Sequence, residues 1–318
     1  LFLIFFKMKV EGMLLGTLLG QLGCFLFLFF SLKIYKYLYM NEFKKNICLK
    51  LWKYSLPLVP NSISWWIFTA SDRIIVSIFL GLSFNGILSA ASKFSTVFIT
   101  FYNIFNISWT ESISVHINDF DISVYFNKMF NIIIRIFISL ILITLMIMHY
   151  VYPTMVNESF FGGIYLIPVL LIGVLFNISV GLLSVIYIAQ KNTRAIANTS
   201  IISACINILT HLALINSIGL VAAPLSSFIA YFIMFVYRMF DVNNRYFKVS
   251  IDKKNLFLML IILPIVILVF YINNNILNFI TLFIICIILI FINYKEIIVF
   301  FNSIKIFIQK KFHKSFLD

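Results

Sequence analysis

GIYLIPVLLIGVLFNISVGLLSVIYIA, residues 163–189, runs without one charged side chain. It is longer than the roughly 20 apolar residues that carry a helix across the hydrocarbon core of a bilayer. Working outward in both directions, comparable stretches recur, and nine spans can be drawn at about 12–32, 55–80, 84–107, 130–152, 163–189, 195–215, 219–240, 256–273 and 276–294. The chain of 318 residues is 62% hydrophobic and 11% charged, whereas a soluble domain carries roughly 25% charged residues. A soluble globular protein is excluded. The expected fold class is all-α: a polytopic membrane helix bundle of about nine spanning helices.

The charges set a topology. With 24 Lys and Arg against 11 Asp and Glu, the formal charge is +13. One set of loops holds Lys33, Lys36, Lys44, Lys45, Lys50 and Lys53, then Lys128, Lys191 and Arg194, and then Arg238, Arg245, Lys248, Lys253 and Lys254. The tail adds Lys295, Lys305, Lys310, Lys311 and Lys314, while the opposite side has only Lys7 and Lys9. The positive-inside rule makes the rich side, and with it the C-terminus, cytoplasmic. Nucleic acid is not needed to explain these cations. Around 113–124, Ile113, Ile117, Phe120 and Val124 recur at helical spacing opposite Asn118, Asp119 and Asp121, which predicts a helix lying on the cytoplasmic surface. Ile297, Ile304 and Ile308 repeat the pattern in the tail.

Soluble-enzyme chemistry has no foothold. Cys24, Cys48, Cys205 and Cys286 share no paired spacing, His116, His149, His211 and His313 are dispersed, and no zinc-protease, hydrolase or phosphate-loop pattern occurs. No metal, cofactor or catalytic group is therefore expected. The chain opens on Leu1 with no signal-peptide layout and reads as the cut end of a longer protein.

The informative residues are the polar ones inside the spans, because an ionised group at the bilayer centre costs about 2.5–3.5 kcal/mol on insertion scales. Arg73, Lys93 and Arg135 fall there, with Asp72 as the one acid to set against them. Each belongs to a stripe at helical spacing. Ser89, Lys93, Thr96, Thr100 and Asn103 form one, Ser62, Trp66, Thr69, Arg73 and Ser77 another, Asn131, Arg135 and Ser139 a third, and Ser200, Ser203, Asn207 and Thr210 a fourth. Four spans with one wet face each predict a bundle around a polar, cationic cavity. Packing between helices explains the fourth stripe equally well, and Arg135 also has the option of snorkelling to the cytoplasmic headgroups. Pro57, Pro60 and Pro168 with Gly173 mark expected kinks.

Three segments carry a family resemblance. LPLVPNSISWWIFTASDRIIVSIFLG, residues 56–81, is similar to the helix that opens the second lobe of the bacterial polysaccharide repeat-unit flippases of O-antigen and capsule type, relatives of multidrug and oligosaccharidyl-lipid exporters. NGILSAASKF, from Asn85, resembles their Gly-x-Tyr-Ser-x-Ala-x-Lys start, with Leu88 in place of Tyr. IAQKNTRAIANTSIISACINILTHLALINSIGLVAAPLSSFIAYF, residues 188–232, resembles their short basic turn, mid-helix Asn (Asn207) and Gly-rich turn, although Asn216 stands for a Pro and Ala222 for a Gly.

The resemblance implies a two-lobed, 14-helix transporter that alternates access to a central cavity. Residues 1–54 would then be the last helix of the N-terminal lobe and a basic cytoplasmic linker, 55–240 the six-helix C-terminal lobe, and 241–318 two additional helices and a basic tail. Five N-terminal helices of the first lobe would lie outside this sequence. The implied cargo is an undecaprenyl-pyrophosphate-linked oligosaccharide, flipped across the plasma membrane for surface polysaccharide synthesis. Membrane lipids, the missing N-terminal lobe and the polysaccharide polymerase machinery are the implied partners. Arg73 and Lys93 would contact the pyrophosphate and Arg135 would assist near the cytoplasmic mouth. Asn61, Asp72, Thr96, Thr100, Asn103 and Asn207 complete the implied substrate-binding set. The competing readings are a multidrug or cation exporter of the same superfamily, a membrane polymerase or glycosyltransferase, and a non-functional truncated flippase.

Overall fold

A computed structural model describes residues 8, 10–37, 45–56, 58–272 and 274–298. Among the described residues the structure is helical with no strand: α1 (Val10–Ser31), α2 (Lys45–Ser55), α3 (Leu58–Phe79), α4 (Leu82–His116), α5 (Ile122–Met155), α6 (Ile167–Ala189), α7 (Thr193–Ile218), α8 (Ala222–Arg245), α9 (Lys253–Phe257), α10 (Leu263–Ile272) and α11 (Asn275–Ile292). A π-helical turn, Leu258–Ile262, joins α9 to α10 into one span. Taking that as one, α1, α3 to α8, α9–α10 and α11 match the nine expected spans one for one.

Among the described residues six stretches are long and apolar enough to cross a membrane, and one of them, Thr193–Arg245, holds both α7 and α8. The polar residues of α3 and α4 dilute those two helices below that level. This is a multi-pass membrane protein.

The chain divides into two compact units, Leu1–Lys53 and Tyr54–Asp318. In the first, α1 presents Leu14, Leu18, Phe25, Phe27 and Phe30 exposed, as suits a helix bathed in lipid.

In the second, α6 is the central post. It packs on α8 and on α4, while α7 packs on α3 and α8. Val180, Leu182, Leu183, Val185, Ile186 and Tyr187 of α6 are fully buried. α5 packs against α6 and carries α10 and α11 on its other side.

Local chemistry sets the helix ends. Asn192 caps α7 by accepting from the Ala195 N–H at 3.3 Å, Asp252 caps α9 through the Asn255 N–H at 2.7 Å, and Asn274 caps α11. Gly219 ends α7 at φ 58°, a positive φ that glycine adopts without a Cβ penalty.

Two expectations change. Instead of a separate surface helix near 113–124, α4 runs on to His116, and α5 starts at Ile122 after a short turn. The 35 residues of α4 span about 50 Å at 1.5 Å each, well beyond a hydrocarbon core of about 30 Å. Its apolar face stays packed to the end of the helix: Ile113 is fully buried, and Trp109 packs on Phe126 at 5.4 Å between ring centroids. Phe120 stands exposed at the turn.

The prolines mark helix starts rather than kinks. Pro60 lies in the first turn of α3 and Pro168 is the second residue of α6, where the missing N–H costs nothing. Pro57 lies outside the described residues. Gly173 marks a close approach instead, since a Cβ there would sit 3.7 Å from the Phe228 Cα of α8.

The tail pattern is described only at Ile297, because Ile304 and Ile308 lie outside the described residues.

Candidate functional site

The polar faces of α3, α4, α6 and α8 meet around a cavity of about 450 Å³. α3 contributes Asn61, Trp65 and Thr69, α4 contributes Tyr102, Asn103 and Asn106, and α6 contributes Asn177, Gly181 and Ser184. Tyr231 and Arg238 of α8 close it. A second cavity, of about 190 Å³, shares Thr69, Ile99 and Tyr231 with the first and is lined further along by Asp72, Arg73, Ser89, Ser92 and Thr96.

Arg238, expected in a cytoplasmic loop, is instead fully buried about two turns before the end of α8. Its guanidinium donates to the Thr199 hydroxyl at 3.1 and 2.7 Å, to the Ser184 and Ser200 hydroxyls, and to the Val180 and Ile196 carbonyls. The Tyr187 ring lies 5.8 Å from its central carbon. All of these partners are neutral. The nearest carboxylate on its own helix, Asp241, accepts from the Tyr187 hydroxyl at 2.8 Å and pairs with Arg245 at 2.8 Å. The helical spacing Ser227, Tyr231, Met234, Arg238 was the signal that could have found it.

The aromatic wall is stacked. Trp65 lies against Phe68 and Tyr231 with centroids 5.8 Å away in each case, and Phe68 lies 4.9 Å from Tyr231. Asn61 accepts from the Trp65 indole at 3.2 Å and from the Ser200 hydroxyl at 2.6 Å. Across the cavity the Tyr102 hydroxyl donates to Asn106 at 2.9 Å. Tyr102 can lie there because α6 offers Gly181, where a Cβ would come within 2.8 Å of the Tyr102 Cζ.

The predicted stripes divide. On α4, Ser89, Thr96 and Asn103 line the cavities, whereas Lys93 and Thr100 are exposed outside both linings. On α3 the inward face runs Asn61, Trp65, Phe68, Asp72, one residue from the predicted Ser62, Trp66, Thr69, Arg73. Thr69 and Arg73 still reach the cavity edge, while Trp66 faces out.

Asp72 and Arg73 turn to different neighbours. Asp72 accepts from Ser227 at 2.9 Å and lies 2.9 Å from the ring Nδ1 of fully buried His211. Asn207, also fully buried, ties the same three helices together: it donates to Ser227 at 3.0 Å and to Ser226 at 3.3 Å, and accepts from Ser71 at 3.2 Å. The α7 stripe is thus interhelical glue.

The third stripe turns away from the cavities altogether, and this corrects the expectation for Arg135. Its guanidinium pairs with Glu296 at 3.1 Å and Asp252 at 3.5 Å. Asn131 holds the 250–255 segment through Ser250, Asp252 and Asn255, and Asn293 donates to Ser139 at 3.1 Å. The stripe is a clasp that fastens the last two spans to α5.

Two solved transporters share this fold. The inward closed conformation of the lipid II flippase MurJ matches 80% of this chain with a TM-score of 0.56 and 19% identity. The bent form of the Vibrio cholerae MATE transporter VcmN matches 71% with a TM-score of 0.53 and 16% identity. The chain spans little more than half of each, 57% and 54%. No family model and no curated protein sequence matches it. At these identities the likeness concerns the fold, and the polar cavity must be read from its own residues.

Proposed function

We propose that this chain is the C-terminal part of a flippase that moves undecaprenyl-pyrophosphate-linked oligosaccharide repeat units from the cytoplasmic to the outer leaflet of the bacterial plasma membrane. The cargo would serve surface polysaccharide synthesis of O-antigen or capsule type, and the C-terminus would be cytoplasmic. A partner lobe would supply the opposite wall, and transport would alternate access between the two.

One observation carries the reading: the two adjoining cavities of a transporter-fold lobe have basic residues in their walls, Arg238 in the larger and Arg73 in the smaller, and among the described residues no carboxylate left free. Among the described residues Asp72 is the only carboxylate lining either cavity, and His211 and Ser227 engage both of its oxygens. A cation exporter needs the opposite balance. For an anion, one cation about 4 Å away gains about 4 kcal/mol at an effective dielectric near 20, which offsets the insertion cost of that cation.

Exposed Arg73, at the rim of the smaller cavity, and exposed Lys93, on the neighbouring strip of α4, are the proposed pyrophosphate contacts. The test is flipping of a fluorescent lipid-pyrophosphate oligosaccharide in vesicles containing the full polypeptide that carries this sequence. Arg73→Gln with Lys93→Gln is expected to reduce the rate at least tenfold at equal protein level. An unchanged rate sinks the assignment.

A further inference from the structure

We infer that the cavity between α3, α4, α6 and α8 is a saccharide subsite that holds one sugar ring bearing a fixed negative charge, of uronic-acid or sugar-phosphate type. The inference rests on the flippase reading and names the part of the cargo that this lobe would recognise.

The volume of about 450 Å³ falls within the usual range of small-molecule sites, about 300–1,000 Å³. The lining has the chemistry of carbohydrate recognition. Half-buried Trp65, braced from Phe68 and Tyr231, is a stiff platform for the C–H face of a pyranose. Stacking on Tyr231 fixes its ring plane, and the hydrogen bond to Asn61 fixes its edge.

Opposite stand amides suited to hydroxyl groups, each with donor and acceptor capacity. Asn103 is exposed to the cavity and makes no hydrogen bond among the described residues. Asn106 uses its oxygen for Tyr102 and keeps its amide N–H groups for a ligand. An apolar drug would leave these amides unpaired, whereas a sugar satisfies them.

Arg238 adds the charge preference. Among the described residues it is the only charged one lining this cavity, it is fully buried, and none of its hydrogen-bond partners is a carboxylate. Its donors are occupied, so it acts on a ligand through its field rather than by direct contact. A low-dielectric wall strengthens that field. The carboxylate of a uronic acid and the phosphate of a carrier-linked sugar present the same anionic chemistry beside a pyranose, and the probes below separate them.

The test is direct binding to the purified full-length protein in lipid nanodiscs, followed by saturation-transfer NMR with methyl glucoside, methyl glucuronide and glucose 1-phosphate. Both anions are expected to bind about tenfold more tightly than the neutral glycoside. A stronger glucuronide points to an acidic sugar within the repeat, and a stronger glucose 1-phosphate to the carrier-proximal sugar. Trp65→Leu and Asn103→Leu should weaken all three probes at least fivefold. Arg238→Lys should keep the anion preference and Arg238→Gln should abolish it; where Arg238→Gln fails to fold, the Asn103 and Trp65 variants decide alone. Equal binding of neutral and anionic sugars, or binding untouched by Trp65→Leu and Asn103→Leu, overturns the inference. Binding without lipid flipping would instead sink the flippase reading and leave the subsite standing.

Discussion

Arg135 and Arg238 are both guanidiniums buried in apolar helices, and the protein treats them in opposite ways. Arg135 meets two carboxylates, Asp252 and Glu296, brought from beyond residue 250. Arg238 meets only hydroxyls, carbonyls and a tyrosine ring. A neutralised charge is a fastening, and an unneutralised one at a cavity wall is a source of field. The contrast separates the structural from the functional polar residues better than position along a helix does.

The largest effect should come from stripping the fastening. Asp252→Asn with Glu296→Gln leaves Arg135, 7% exposed at its side chain, without an anion. Breaking a buried pair costs about 3–5 kcal/mol, and the partial exposure of the two acids, 36% and 24%, puts the cost at the lower end of that range. Unfolding of the solubilised protein should show the loss, with α11 the first segment cleaved by protease. Adding Arg135→Leu should restore much of the stability, because removing a whole buried ionic group is often close to neutral. If the triple variant is as weak as the double, the clasp is not electrostatic.

Gly181→Ala comes next. The added methyl collides with the ring of Tyr102 rather than only its hydroxyl, with Cζ at 2.8 Å and Cε1 at 2.9 Å. Overpacking of this kind costs about 1–3 kcal/mol, and here the displaced ring moves into the proposed sugar site. Sugar binding should therefore fall together with melting temperature, whereas Gly20→Ala, in open space, should change neither.

Asp72→Leu is a comparable or smaller loss. It leaves His211 with both ring nitrogens buried and unpartnered, since Nε2 already lacks a hydrogen bond. An unsatisfied buried group costs about 1–3 kcal/mol. Asp72→Asn keeps an acceptor for Ser227 or His211 and should cost less, a difference readable in one denaturation series.

These contrasts also show how far the sequence could be read. Seven of the nine expected spans were legible as apolar runs of the length a bilayer demands, and α3 and α4 as apolar runs crossed by a polar stripe. The wet face of α4 was legible at Ser89, Thr96 and Asn103. On α3 the choice between Asn61–Trp65 and Ser62–Trp66 is one residue, or 100° of helix rotation, and both pairs combine a polar residue with a tryptophan. Only the neighbours Ser200 and Tyr231 settle which pair faces inward. Arg135 was misplaced for the same reason, because its partners lie more than a hundred residues away. Arg238 was misplaced because a cation near the end of a span looks the same whether it leaves the membrane or folds back between helices.

Lys93→Gln should have the smallest effect on stability and so isolates function most cleanly. Its side chain is exposed, outside both cavity linings and without an ion pair among the described residues. Surface substitutions of this kind stay within about 0.5 kcal/mol, so melting temperature should not move. A charge of structural value, like that of Arg135, would show itself in that measurement; a charge that serves cargo would not. A Lys93→Gln protein with unchanged stability and slowed flipping therefore places the ammonium on the pyrophosphate path. Unchanged stability with unchanged flipping leaves Arg73 as the only exposed cation of the pair with a role.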